Sequence, residues 1–190
     1  MIYFVLFVLY LVTQRMIELY IAHRNESWMK KKGAYEIGGG HYKYIVAIHT
    51  LFFVVYFFEV FIKGVQISSA FKVILCFFVL TQLLRLWVIK SLGKYWNTKI
   101  IILPNEEIVK KGPYKYLRHP NYVIVALELV LIPLLYNAYI TAVVFTLLNI
   151  FVLSIRIPTE ERALSSLTNY KDHFSEKNRF VPQPKLLKRE

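Results

Sequence analysis

Residues 2–21, 44–62 and 71–89 form three apolar blocks in which charged side chains are rare. Each approaches the roughly 20 residues a helix needs to cross a bilayer. A polar stretch, residues 90–118, follows. The chain is apolar again over 122–155, with a break near Pro133 and Asn137. That break predicts a helical hairpin. Its first arm, about 15 residues or about 22 Å at the α-helical rise, is short for a full crossing. The pattern predicts an all-α, multi-pass membrane bundle of about five transmembrane helices, closed by a C-terminal helical hairpin. Residues 1–91 read as a three-span membrane region, and residues 92–190 as a core of loop, hairpin and tail. The first block has no basic leader and no A-x-A cleavage site, so it reads as an anchor and not as a signal peptide.

Composition agrees with burial in lipid. Of 190 residues, 56% are hydrophobic and mean hydropathy is +0.43, above the ~45–50% apolar content of soluble domains. Disorder is excluded by the same figures. Cys76 stands alone, which excludes a disulfide scaffold and a cysteine metal site. The net charge of +12 invites a nucleic-acid reading. Its distribution argues otherwise. Lys and Arg number five in residues 22–43, two in 63–72, seven in 90–118, none in the hairpin turn and eight from Arg156 onward. Rich and poor segments alternate as five spans require. The positive-inside rule then puts the C-terminus and the long polar loop in the cytoplasm, with the chain integral to the cell membrane.

The chemical vocabulary sits in that loop and the tail. Gly112-Pro113 marks a turn. His119 precedes a proline and is pushed out of helical dihedrals, while Pro120 suits a first helical turn. The fourth span therefore starts at Pro120 with His119 near its N-cap, and a helix N-terminus at a membrane surface favours anions. A proline-started helix with interfacial Arg and Tyr anchors accounts for the same residues. Farther on, Arg156 closes the last span. Pro158 is expected to restart the chain, with Thr159 capping a new helix whose first turn holds Glu160 and Glu161. Plain capping explains these too. Topology adds something: a hairpin returns to its starting surface, so both glutamates should emerge beside His119. Helix end, imidazole, Arg156 and two carboxylates would share one pocket suited to a zwitterion.

Ionisable residues within the blocks are Arg15, Glu18, His49, Glu59, Arg85 and Glu128. Such residues mark functional sites or internal pairs. Arg15 and Glu18 are spaced to pair. Glu59 and Arg85, near span ends, are expected to snorkel. Glu128 lacks an evident partner. His41, Ile45 and His49 share a helix face, but a metal site would need a third ligand, and no metal is expected. Gly38-Gly39-Gly40 follows no strand in a G-x-G-x-x-G pattern, so a dinucleotide reading is weak.

The run Gly112-Pro113-Tyr114 through Arg118-His119-Pro120-Asn121-Tyr122, with Glu160-Glu161 farther on, resembles the isoprenylcysteine carboxyl methyltransferase family. Leu92-Gly93-Lys94-Tyr95-Trp96, Arg156, Tyr170-Lys171-Asp172-His173-Phe174 and Arg179-Phe180-Val181-Pro182 fit it as well. The likeness covers about residues 92–182. Arg24-Asn25-Glu26, Gly33-Ala34-Tyr35-Glu36, His41-Tyr42 and His49 are similar to a bacterial branch that O-methylates long-chain alkylpyrones made by type III polyketide synthases.

The resemblance implies an integral-membrane methyltransferase using S-adenosylmethionine. It implies that Ile108, Val109, Tyr114, His119, Pro120, Asn121, Tyr122 and Glu160 line the cofactor pocket. Arg156 would be catalytic and face the methyl acceptor. That acceptor would be an alkylpyrone-type hydroxyl or a prenylcysteine-like carboxylate, a lipophilic molecule entering from the bilayer. Two positions depart from the family pattern. Ile124 stands where glycine is usual, which implies a differently packed fourth helix, and Glu106-Glu107 stand where a histidine is usual. Other readings are a phospholipid N-methyltransferase, an NADPH-dependent membrane reductase with a related helical core, and a non-enzymatic membrane protein. The short fourth arm leaves room for helices lent by a second copy in a homodimer. Apart from membrane lipids and the substrate, no partner is implied, and nucleic acid is not expected.

Overall fold

A computed structural model describes residues 1–170 and 179–180. Five helices carry it: α1 (Ile2–Lys31), α2 (Gly39–Ile62), α3 (Phe71–Leu92), α4 (Pro120–Leu134) and α5 (Tyr139–Leu167). The all-α multi-pass bundle is the one the apolar blocks predict. Helices α1, α2, α3 and α5 are long and apolar enough to cross a membrane, and α4, with 15 residues, is the short arm. Leu6, Leu9, Phe58, Phe61, Leu83, Leu147 and Phe151 point outward. Lipid demands such a face, because hydrocarbon solvates it at no penalty.

The end of the bundle away from the long loop is an aromatic core. Phe4, Phe52, Tyr56, Phe78, Tyr136 and Phe145 are buried together, and the Phe4 and Tyr136 rings meet edge to face at 4.9 Å. Tyr56 donates to the Ile132 carbonyl at 3.2 Å, satisfying one of the carbonyls that a helix C-terminus leaves unpaired. The chain then turns through Asn137, whose φ of +57° suits a residue that tolerates the left-handed region. Glu59 does not snorkel at this turn. It accepts hydrogen bonds from Ile140 N (3.1 Å), Thr141 N (2.7 Å) and Thr141 Oγ1 (2.6 Å). A carboxylate there faces the positive end of α5 and fixes where the second arm begins.

Arg85 also departs from expectation. It is 2% exposed and lies inside the bundle. Its Nη1 donates to both oxygens of Glu18 at 2.9 and 2.8 Å, and its Nε to Glu128 Oε1 at 2.8 Å. Arg15 donates to Glu18 at 2.7 Å and also reaches Glu128. Gln82 donates to Glu128 Oε1 at 2.8 Å. Glu128 is thus fully partnered. Two arginines and two glutamates from α1, α3 and α4 cancel in charge, as hydrocarbon requires of groups it cannot solvate. Arg15 does pair with Glu18, as its spacing predicts.

Two further differences shape the site. Helix α1 runs on past residue 21 to Lys31, because nothing in the polar extension breaks it before Gly33, at φ +88°. And Pro158 does not restart the chain: α5 is continuous through it. Proline removes one i→i−4 bond without ending a helix that packing holds on both sides. Thr159, freed of any capping role, donates to Ile155 O at 2.8 Å. The extension of α1 leads into β1 (Tyr35–Ile37), which pairs antiparallel with β2 (Ile100–Ile102). Three-residue strands are too short to show alternation, so the apolar blocks gave no sign of them.

Candidate functional site

The polar stretch between α3 and α4 folds onto one end of the bundle. Gly93, at φ +54°, ends α3. The extension of α1 then holds the chain: Asn25 Nδ2 donates to the carbonyls of Gly93 (3.1 Å) and Trp96 (2.7 Å). Asn97 returns a bond to the Ala22 carbonyl at 3.1 Å. Lys99 reaches Glu26 at 2.9 Å and Glu36 at 3.3 Å, pinning β2 between α1 and β1. The bond to Glu26, then that to Glu36, raises the Lys99 ammonium above its ordinary pKa against the opposing effect of burial.

Beyond β2 the loop crosses α3 at Gly112. A Cβ at that position would sit 2.1 Å from Ser91 Oγ and 2.8 Å from Trp87 Nε1, and φ is +54°. Glycine is therefore what lets the loop lie flat on α3. A short turn, Gly112–Lys115, buries Tyr114. Burial, with Glu160 nearby, pushes the Tyr114 phenol far up, so it stays protonated. Helix α4 then starts at Pro120 with His119 as its N-cap residue, as the proline predicts.

The two arms of the hairpin meet here. Tyr122, in the first turn of α4, donates to Glu160 of α5. Arg156 Nε donates to the same Tyr122 hydroxyl at 2.8 Å, and its Nη2 to the Thr98 carbonyl at 2.5 Å. The imidazole of His119 stacks on the Tyr122 ring at 5.3 Å. His119 Nε2 lies 3.1 Å from Glu161 Oε1. Antiparallel packing of α4 against α5 thus brings both halves of the motif together.

These residues wall a cavity of about 180 Å3. Ile108, Val109, Tyr114, His119, Asn121, Tyr122, Arg156 and Glu160 all line it. Pro120 does not: it is buried beneath the helix start. The two glutamates also part company. Successive residues on a helix point about 100° apart, so Glu160 faces the cavity. Glu161 turns aside, held by Arg179 at 3.0 and 2.6 Å. The single pocket holding both carboxylates is not what forms. Residues 171–178 and 181–182 of the motif tail lie outside the described residues.

Trp96 and Asn121 line the cavity, and Trp96 Nε1 and Asn121 Oδ1 are buried there without a partner among the described residues. Buried polar atoms ordinarily find partners, so one donor and one acceptor on residues of the cavity wall are unspent. Lys99, β2, Thr98 and Tyr42 were given no role by the motif. Tyr42 sets its hydroxyl 3.1 Å from Thr98 Oγ1, behind the carbonyl that holds Arg156. The apolar run Ile100–Ile102 inside a polar stretch was the visible sign that this segment is buried. Ile124, in place of the usual glycine, is wholly buried among Ala22, Val88, Trp96 and Tyr114. It fills the space between α4, α3 and the end of α1.

The chain is similar to known proteins. The model of the isoprenylcysteine carboxyl methyltransferase family matches residues 73–166, from the first turns of α3 through Glu160. An uncharacterized protein of Bacillus subtilis, YpbQ, is 47% identical over 161 residues, covering 85% of this chain and 96% of its own. An uncharacterized protein of Haemophilus influenzae is 30% identical over 154 residues, covering 80% of this chain and 90% of its own. With the motif halves joined at one cavity in a membrane bundle, the chain belongs to the isoprenylcysteine carboxyl methyltransferase family, a family of membrane methyltransferases.

Proposed function

We propose that this protein is an S-adenosylmethionine-dependent O-methyltransferase acting on a lipophilic acceptor, an alkylpyrone-type hydroxyl ahead of a prenylcysteine-like carboxylate. The observation that carries the reading is the junction of Tyr122 with Glu160 and Arg156 at the wall of one cavity. Glu160 suits the ammonium or ribose of the cofactor, and the α4 start suits its carboxylate. The unspent Trp96 N–H and Asn121 carbonyl suit a ligand carrying both donors and acceptors. The residues present therefore fit the group. When bound, it supplies an electrophilic methyl on a sulfonium.

The chain's own part is positioning. Arg156 is held on two sides, so its guanidinium presents a fixed cation to an acceptor oxygen. That cation must not favour the ground-state anion over the transition state, and most of the rate comes from alignment. The acceptor enters from the bilayer beside residues 1–91, and the cofactor enters from the cytoplasm beside residues 92–190. Alternation of Lys and Arg supports that orientation, with the C-terminus cytoplasmic. The short α4 supports a homodimer in which a second copy covers it.

Calorimetry of S-adenosylhomocysteine binding to detergent-purified protein tests the reading. Wild type should bind at micromolar concentrations, and His119→Ala and Glu160→Ala should each weaken binding at least about tenfold, a loss of about 1.4 kcal/mol. Equal affinity in all three proteins overturns the site. No binding by folded wild type overturns the activity, and NADPH binding in its place would favour a reductase.

A further inference from the structure

Glu106 and Glu107 stand in the wall of the large cavity. Their segment is tied to the end of α5 on both sides. Asn105 N donates to the Leu167 carbonyl at 3.1 Å, and Ile108 N to Asn169 Oδ1 at 3.5 Å. Tyr95, another wall residue, donates to Glu106 Oε2 at 3.0 Å. Glu106, Glu107 and Thr168 also border an open depression on the protein surface, together with Ser166 and Asn169. The cavity therefore meets solvent past these residues. Arg156 marks a different side. It borders a small space of about 20 Å3 beside Tyr42 and Ile45 of α2, and that space shares no lining residue with the depression.

The charges of the wall are unevenly placed. Glu106, Glu107 and Glu160 line it, with Lys99, Arg118 and Arg156. Lys99 and Lys30 together meet Glu26 and Glu36, outside the wall. Arg118 and Arg179 share Glu161, also outside it, and His119 sets Nε2 against the same carboxylate. Arg156 is held by neutral groups, the Tyr122 hydroxyl and the Thr98 carbonyl. Glu106 and Glu160 likewise accept from the neutral hydroxyls of Tyr95 and Tyr122. Three carboxylates thus stand against Arg156 and the one cation that Glu161 leaves over. Two of the three are at the mouth, where neither has an ion pair among the described residues.

We propose that Glu106 and Glu107 make the cavity select the charged cofactor over its spent product, by setting negative charge at the mouth. The inference rests on the methyltransferase reading and adds to it a specificity that the motif residues do not supply. S-adenosylmethionine carries one net positive charge, on its sulfonium. S-adenosylhomocysteine, a neutral thioether at the same sulfur, carries none. The two share adenine, ribose, ammonium and carboxylate, so hydrogen bonds to those groups hold both alike. A methyl-sized contact and the charge are what differ. Coulomb attraction acts across a cavity without contact, and a cleft lined by one sign of charge concentrates ligands of the other. A ligand that has lost its charge loses that attraction, which favours exchange of product for fresh cofactor. Specificity of this kind is a difference between two affinities.

The test uses the full chain in detergent and needs no methyl acceptor. Calorimetry measures the affinities of S-adenosylmethionine, S-adenosylhomocysteine and sinefungin, an analogue that carries an ammonium in place of the sulfonium charge. The variants are Glu106→Gln with Glu107→Gln, and Glu106→Asp with Glu107→Asp. The Gln pair keeps the size of both side chains and an acceptor for Tyr95. It should weaken S-adenosylmethionine and sinefungin at least about fivefold relative to S-adenosylhomocysteine, whose own affinity should stay within about twofold of wild type. The Asp pair, still charged, should keep the wild-type preference. In wild type, raising the salt from about 0.05 M to about 0.5 M should erode the affinity for the two cationic ligands and leave that for S-adenosylhomocysteine nearly unchanged. This series needs no variant to fold. Equal weakening of all three ligands by the Gln pair overturns the proposal, since it would mean contact with a part they share. An unchanged ratio in the Gln pair, or a ratio in wild type that salt does not move, overturns it as well and leaves the methyltransferase reading intact. Folded wild type that binds none of the three overturns the activity itself.

Discussion

Arg156 Nε lies 2.8 Å from the hydroxyl of Tyr122, which in turn donates to Glu160. One phenol therefore stands between the residue proposed for the acceptor and the residue proposed for the cofactor. Tyr122→Phe keeps the ring and its stack on His119 but removes that link. Hydrogen bonds to charged groups contribute about 1.5–3 kcal/mol, so methyl transfer should fall roughly 10- to 150-fold. S-adenosylhomocysteine affinity should fall less, because the other cavity residues remain. Parallel calorimetry and initial rates measure the two losses, and equal losses would refute an orienting role for the hydroxyl.

Gly112 is where the loop carrying Ile108, Val109 and Tyr114 rests on α3. Alanine there would meet Ser91 and would hold a strained left-handed φ. Gly112→Ala should lower S-adenosylhomocysteine affinity by lifting the loop, with little change in the thermal midpoint of the bundle. Adding Ser91→Gly should recover part of the affinity by removing the nearer obstacle. No recovery would place the whole effect in the backbone strain.

The buried ion cluster makes a sharper prediction about stability. Arg85→Met leaves the carboxylates of Glu18 and Glu128 sharing Arg15 alone, and breaking a buried pair is expected to cost about 3–5 kcal/mol. Arg85→Met combined with Glu128→Gln removes the excess charge, leaving Arg15 with Glu18, and should regain a substantial part. Thermal unfolding in detergent would show the single variant below the double. The reverse order would mean that the cluster is solvated and not sealed.

Glu59 sits at the opposite end of the bundle from the cavity. Glu59→Gln keeps one oxygen acceptor but loses the charge that faces the α5 terminus and pairs with Lys63. Loss of a cap charge is expected to cost about 1 kcal/mol. The thermal midpoint should drop by a few degrees, while S-adenosylhomocysteine affinity stays that of wild type. A fall in affinity would mean that the hairpin transmits changes along its length.

The amino-acid sequence by itself determined the bundle, because long apolar blocks have one economical solution in a bilayer and prolines mark where helices start. It determined the α4 start at Pro120, the hairpin break near Asn137, and the approach of the Glu160 region to His119, since a two-arm hairpin must return to its origin. What only the tertiary structure decided are relations between residues far apart in the chain. Arg85 finds Glu18 and Glu128 across three helices, a match that no local spacing encodes. Glu160 lines the cavity while Glu161 is held aside by His119 and Arg179, and helix α5 continues through Pro158, which depends on packing and not on the proline alone. The pairing of β1 with β2 joins the two ends of the polar stretches through three residues each, too few to leave a periodic trace. His49 takes its Nδ1 partner, the Ile45 carbonyl, from its own helix, but the space beside its ring forms only when α1, α2 and α4 close around it.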